Sequence, residues 1–127
     1  MTPNQIVAAH KAMIELGGVV FPYKTARKVA GLKKRLADEV QAVLDMEKAL
    51  AEQYGGKRQA TGSYRFESQE KAAEYLEAHR LAMEEDDPSI QFDPVDISKY
   101  TNQISISASS VEALDGLVIF EEGDNGG

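Results

Sequence analysis

The chain contains no cysteine, and only two of its 127 residues are histidines. The missing thiols exclude disulfides, thiolate nucleophiles and zinc sites built on sulfur ligands. His10 and His79 lie far apart in the sequence, and neither has a partner at metal-ligand spacing beyond the acidic residues that any acidic helix supplies. The sequence therefore predicts neither a metal site nor a cofactor.

Long apolar runs are also missing. No segment approaches the roughly 18 apolar residues of a membrane span, and residues 1–5 lack the basic region and apolar stretch of a signal peptide. We therefore expect a soluble protein without membrane contact. A chain that is 43% hydrophobic and 28% charged fits one globular domain. We assign that domain to residues 1–122 and a flexible acidic, glycine-containing tail to residues 123–127.

The two parts of the chain carry opposite net charges, because acidic residues are almost absent from the first part. Residues 1–36 carry seven basic side chains and one acidic, and residues 37–127 carry seven basic and twenty acidic, which gives +6 and −13 for a net charge of −7. Such blocks usually form solvated faces, and they can also guide docking onto a charged partner.

Capping residues predict where the first helix starts. Thr2 suits the N-cap, Pro3 the first helical position, and Gln5 the third position of a capping box. Gly17 and Gly18 end the apolar period, where a left-handed C-cap is expected.

A long second helix is predicted from Tyr23 to Tyr54, because this stretch has no proline and its apolar residues recur every three or four positions. At about 1.5 Å per residue it is longer than a compact domain of this size covers. Part of its stripe should therefore meet a partner helix or another copy of the protein. The predicted protein-interface residues are Val40, Val43, Leu50 and Tyr54.

Gly55 and Gly56 should end this helix, and residues 57–65 resemble an exposed connection. Ser68 suits the N-cap of a third helix that extends to about Glu85. The predicted inner face of this helix consists of Ala72, Tyr75, Leu76, His79 and Met83.

The period changes after Pro88. The pairs Ile90–Phe92 and Ile104–Ile106 alternate with polar residues, as in short strands. Ser107 can cap a short helix that extends to Leu114. Residues 117–120 suit a buried strand or an apolar anchor. The predicted fold is α+β and mainly α. It has a long-helix hairpin or three-helix layer and a small C-terminal β element from residues 89–106 and 117–120.

A basic run at the start of the long helix is a candidate binding face, because a cationic helical stripe can track phosphates. Its residues are Lys24, Arg27, Lys28, Lys33, Lys34 and Arg35. A sequence pI near 4.8, the lack of a helix-turn-helix pattern and the lack of an aromatic stacking platform argue against nucleic acid. The acidic second half also offers the run an internal partner.

Catalytic patterns are weak. The paired carboxylates lie beside no phosphate loop, nucleophile elbow or calcium loop. Ser107, Ser109 and Ser110 are better explained by helix capping than by nucleophilic attack. The aromatic residues Phe21, Tyr23, Tyr64, Phe66 and Phe92 lie at element ends, where we expect them to close the core. The chain is therefore predicted not to be an enzyme.

The order of local motifs resembles a family of small phage and prophage proteins of unknown function. The resemblance covers most of residues 11–122. It rests on "FPYKTARKVAGLKKRL", "EQYGGK", "YRF", "EKAAEYLEAHRLAMEED", "IQFDPVDIS" and "ISISASSVEALDGLVIFEE". The chain departs from the family near Asp115–Phe120, where "LDGLVIF" replaces a proline-containing acidic ending.

The resemblance implies a phage or prophage gene product in the bacterial host cytoplasm, with no activity to transfer. We expect a protein-binding accessory, assembly or regulatory factor that forms a dimer or small homo-oligomer, or binds a phage or host protein. The alternative is a binder of nucleic acid or a nucleotide ligand, for example an inhibitor of host defence, that uses the basic run.

Overall fold

A computed structural model describes residues 1–121. The fold is mainly helical with a few short strands, which confirms the predicted α+β class. Its helices are α1 (Pro3–Glu15), α2 (Tyr23–Gln53), α3 (Gln69–Met83) and α4 (Ala108–Ala113), with 3-10 helices at Leu16–Gly18 and Ser98–Gln103. Its strands are β1 (Lys57–Arg58), β2 (Tyr64–Arg65), β3 (Val95–Asp96) and β4 (Val118–Ile119). No helix within residues 1–121 combines the length and apolar character needed to cross a membrane.

The start of α1 is as predicted and its end is not. Thr2 accepts a hydrogen bond from the backbone N–H of Gln5, whose side chain accepts one from the backbone N–H of Thr2, so the capping box is complete. The left-handed cap expected at Gly17 and Gly18 was wrong, because neither has a positive φ. The chain instead tightens into a 3-10 turn that leads to extended Val19.

The long helix α2 ends in a Schellman motif around Tyr54. The N–H of Gly56 donates to the carbonyl of Ala51 at 2.8 Å, and the N–H of Gly55 donates to the carbonyl of Glu52 at 3.0 Å. Gly55 has φ +77°, a conformation that a side chain disfavours. The predicted boundary is therefore confirmed, and these bonds satisfy carbonyls that the helix end would leave free.

After α2 the chain turns back on itself. The antiparallel strands β1 and β2 form a hairpin, and α3 then lies along the second half of α2. Ser68 caps α3 by accepting from the N–H of Lys71. Leu76 was wrongly assigned to the inner face of α3, because it is 63% exposed, whereas Tyr75 and Met83 are buried.

The C-terminal β element differs from the predicted one. β3 pairs in parallel with β4, with Val95 opposite Val118, and the 3-10 helix and α4 connect them. Ile90, Phe92, Ile104 and Ile106 lie outside the strands, although all four are half-buried. Ser107 caps α4 by accepting from the N–H of Ser110, as predicted. The predicted tail, residues 123–127, lies outside the described residues.

The buried residues divide the molecule into two parts. In the proximal unit, α1, the first half of α2, α4 and the β3–β4 pair enclose the hydrophobic core. In the distal arm, the second half of α2, the β1–β2 hairpin and α3 pack against one another around Tyr75, Ala51, Val43 and Met83. The long helix joins the two parts, and the N-terminal amine of Met1 also binds the Asp86 carboxylate and the Asp87 carbonyl just after α3.

Candidate interaction surface

Five of the six predicted basic residues share one face of α2, which we call the basic face. At about 100° per residue, Arg27 and Lys34 lie opposite the stripe that Leu32, Leu36 and Val43 bury, and the rest of the basic face extends from there to the edge of that stripe. All five side chains are exposed. The members of the basic face are Lys24, Arg27, Lys28, Lys34 and Arg35.

Lys33 does not belong to the basic face. It is half-buried on another side of α2, and its Nζ lies 3.8 Å from where a Cβ on Gly17 would be. That position is close to the carbonyl end of α1 and its 3-10 turn, where a cation is electrostatically favoured. Lys33 is therefore better explained by packing between α1 and α2.

Within residues 1–121, the acidic half forms no salt bridge with the basic face, contrary to the internal partner expected for the basic run. None of the salt bridges within residues 1–121 involves a residue of the basic face. Arg35 instead donates from Nη2 to the carbonyl of Gln91 at 3.1 Å, and its Cζ lies 4.4 Å from the Phe92 ring centroid. Arg35 thus anchors the segment before β3 to α2.

Lys28 lies on the same side of α2 as Arg35, near β3. Hydrogen bonds from Ser98, followed by the positive charges of Lys99 and Lys28, hold the pKa of Asp96 below its ordinary value. Lys28 thus contributes to the charge balance near β3, whereas Lys24, Arg27 and Lys34 face solvent.

Tyr23 is an exposed aromatic residue at the start of the basic face. It is 77% exposed, and the Arg27 Cζ lies 5.9 Å from its ring centroid, within cation–π range. The prediction that Tyr23 closes the core was therefore wrong, whereas Phe21 is buried. The four-residue spacing from Tyr23 to Arg27 was the sequence signal that could have placed both on the outer face.

Three large hydrophobic residues are exposed where α1 joins α2, and we call them the apolar tip. Val20 is 85% exposed, Tyr23 is 77% exposed and Ile14 is 54% exposed. All three belong to the last turn of α1, the connection or the first turn of α2. The apolar tip therefore adjoins the basic face at one end of the molecule.

The electrostatics of the helix start do not favour folding. The N-cap Pro22 makes no side-chain hydrogen bond, and the first turn of α2 contains no acidic residue. Lys24 lies in this turn and Arg27 follows it, although cations at a helix N-terminus oppose the macrodipole. A local choice that costs stability is expected where a surface has another role.

The predicted interface residues lie along the inner side of α2. Val43 is buried within the chain, and Val40, Leu50 and Tyr54 are half-buried. The partner helices that the sequence required for this stripe are α1 and α3 of the same chain, since both contact α2. Contact with another copy at these positions stays a prediction that depends on the three half-buried residues.

A second cluster of polar and aromatic residues holds the distal arm together. Glu47 Oε2 and His79 Nε2 are 2.6 Å apart, and the His79 ring stacks on Tyr75 with centroids 5.6 Å apart. The ring centroids of Phe66 and Tyr75 are 5.0 Å apart. Burial, and then the charge of Glu47, raise the pKa of Tyr75. The cluster accounts for the half-buried histidine that the sequence placed on the inner face.

Comparison of the chain with protein-family models, curated proteins and solved structures found no match. The similarity to the phage and prophage family therefore stays a prediction from the sequence motifs.

Proposed function

We propose that the chain is a non-enzymatic protein-binding factor with an accessory, assembly or regulatory role, encoded by a phage or prophage and active in the bacterial host cytoplasm. The phage origin is supported by the motif resemblance alone. The observation that carries the binding role is the apolar tip, where Val20 and Tyr23 are the two most exposed large hydrophobic residues.

The chemistry of the tip favours a protein partner. Tyrosine and arginine are enriched among residues that dominate binding energies, and a central apolar contact within a polar rim is the usual anatomy of an interface. The Arg27 Cζ lies 5.9 Å from the Tyr23 ring centroid, so the two side chains can contact one partner together. The matching partner presents an apolar recess with an acidic rim.

A second candidate function is binding of single-stranded nucleic acid. The specific observation in its favour is the same Tyr23–Arg27 pair, because an exposed tyrosine beside an arginine can hold a base while the neighbouring cations contact phosphates. The net charge of −7 weakens long-range attraction of a polyanion. Protein binding is therefore the favoured proposal.

The test is crosslinking capture from bacterial lysate, with and without prophage induction, by the full chain and two variants. The double variant Val20→Ser, Tyr23→Ser alters the tip, and Leu81→Ser removes a hydrophobic side chain that is 56% exposed from α3 as the control. We expect a specific protein to be captured by the control and lost with the tip variant. Capture by all three chains alike would contradict the proposal.

Charge reversal separates the two candidates. The double variant Lys28→Glu, Lys34→Glu should abolish binding of a labelled single-stranded oligonucleotide if the second candidate is correct, and the wild-type binding should fall steeply with salt. A protein partner held mainly by the tip should stay bound at high salt. Oligonucleotide binding that survives the reversal would eliminate the second candidate.

A further inference from the structure

A second charge pattern extends along the whole of α2. Its members are spaced by seven, four, seven and seven residues, so at about 100° per residue they fall within about 40° of one another. All five are exposed. We call this set the bipolar stripe, and it consists of Arg27, Lys34, Asp38, Asp45 and Glu52.

The two halves of the stripe have opposite signs. The N-terminal half is cationic and the C-terminal half is anionic, and no salt bridge within residues 1–121 pairs one with the other. Lys34 and Asp38 have the spacing of an intrahelical pair and do not form one. Among residues 1–121, Asp45 accepts a hydrogen bond only from the neutral amide of Gln41, at 3.0 Å.

The order of the charges is unfavourable within a single helix. Cations lie near the positive end of the α2 dipole and Glu52 lies near its negative end, and the last turn contains no basic residue. An antiparallel neighbour reverses this relation, because each cationic half then meets the anionic half and the opposite dipole end of the other helix. The stripe is complementary to itself in that orientation.

We propose that the partner of the bipolar stripe is a second copy of the chain. The two α2 helices would then lie antiparallel, related by a twofold axis near residue 36. Arg27 then faces Asp45 of the second copy, and Lys34 faces Asp38 of the second copy. Twofold symmetry repeats both pairs, so the interface contains four complementary contacts. This inference rests on the proposed protein-binding function and names one partner for the basic side of α2.

The neighbouring residues suit this arrangement. On one flank of the stripe, Gly31 comes opposite Ala42, and such small residues let two helices approach to the short end of the roughly 8–10 Å packing range. Both positions are exposed.

The experiment is sedimentation equilibrium of the full chain and two reversed variants, Arg27→Asp and Asp45→Arg, at low and high salt. Arg27→Asp places two acids opposite each other in a homodimer, and Asp45→Arg places two cations opposite each other. An equimolar mixture of the two variants restores both attractions in a heterodimer. Lys11→Asp makes the same charge change at an exposed position of α1, away from the bipolar stripe, and is the control.

We expect a dimer whose dissociation constant rises at least about tenfold in each reversed variant, because each substitution acts at two contacts. The mixture should recover the wild-type value to within about threefold, and Lys11→Asp should leave it nearly unchanged. A wild-type monomer at every concentration and salt, or a mixture that associates no better than either variant alone, would overturn the proposal.

Helix orientation can be measured separately, because the chain has no native cysteine. Chains with Gly31→Cys should crosslink to chains with Ala42→Cys faster than to themselves. Preferential Gly31-to-Gly31 crosslinking would show a parallel pair and contradict the inference. A monomeric result leaves the apolar tip to be tested by lysate capture, so the two proposals fail independently.

Discussion

The proximal unit and the distal arm share one helix but are held together in different ways. In the proximal unit, fully buried Leu36, Ile97 and Leu114 come from three distant parts of the chain. In the distal arm, α3 contacts α2 with few buried apolar side chains, and the aromatic stack on Tyr75 and the Glu47–His79 contact contribute much of the packing.

This difference indicates which part opens first. Apolar burial is the dominant favourable contribution to folding, and segments with few buried contacts open locally at lower free energy than the core. The arm should therefore exchange its amide hydrogens faster than the proximal unit. The long helix should be protected in its first half and less protected beyond Val43.

The largest effect should come from Leu36→Ala in the proximal core. Leu36 is fully buried, so its truncation leaves a cavity and should lower the free energy of unfolding by about 3–5 kcal/mol. Urea unfolding followed by circular dichroism measures the change. Leu44→Ala, on the same helix and half exposed, is the control and should cost less than about 1 kcal/mol. Equal losses would remove the distinction between the two parts.

Tyr75→Ala should have the next largest effect, and it should be local. The substitution removes the ring on which Phe66 and His79 stack, and we expect a loss of about 2–3 kcal/mol, limited by how easily the arm opens. Hydrogen exchange should show lost protection in α3 and retained protection in α1. Uniform loss across both helices would mean that the molecule unfolds as one cooperative unit.

Gly56→Ala should destabilise the junction of α2 with the hairpin by about 1–3 kcal/mol. A Cβ there would lie 2.8 Å from Phe66 Cε1 and 3.0 Å from the carbonyl oxygen of Ala51. Gly18→Ala is a matched control, because nothing lies within 4 Å of its Cβ position and its φ is not positive. Thermal unfolding of the two variants gives the comparison, and similar melting temperatures would disprove the clash.

The smallest expected effect is the coupling between Glu47 and His79. A double-mutant cycle with Glu47→Ala and His79→Ala should give an interaction of about 0.5–1.5 kcal/mol, as for a half-buried hydrogen bond between two side chains. Urea titrations of the four proteins provide the values. An interaction below about 0.3 kcal/mol would leave the stability of the arm to aromatic packing alone.

The features predicted correctly are those that depend on neighbouring residues. Thr2, Ser68 and Ser107 each cap a helix in the predicted place, and Gly55 ends α2 as expected. Capping is a contact within one turn, so a short sequence window contains all the information it requires. The helical class follows from these signals and from the apolar period of α2.

The features that were missed depend on distant residues. The parallel pairing of Val95 with Val118 joins segments too short to have a clear strand period, and pairing of this kind is decided by the whole core. Leu76 lies beside the buried residues of α3 but falls on the flank that α2 does not cover. The contact between α2 and α3 in the distal arm could not be predicted from the sequence of either helix alone.

The candidate surface was predicted in part. The exposed basic residues follow from the sequence, because helical spacing places them outside the apolar stripe. The different position of Lys33 and the exposure of Tyr23 follow from the same spacing once the buried side of α2 is known. Whether the acidic half neutralises the basic face was not predictable, because it depends on tertiary distances.

The membership of the proximal core has a consequence for synthesis on the ribosome. This core includes Ala9 near the start of the chain and Val118 near its end. It cannot close until residue 118 has left the exit tunnel, whereas α2, the hairpin and α3 can associate earlier because they are contiguous. During translation the apolar faces of α1 and the first half of α2 therefore stay exposed until β3, α4 and β4 have emerged. We expect a chaperone to protect the nascent chain mainly in that interval.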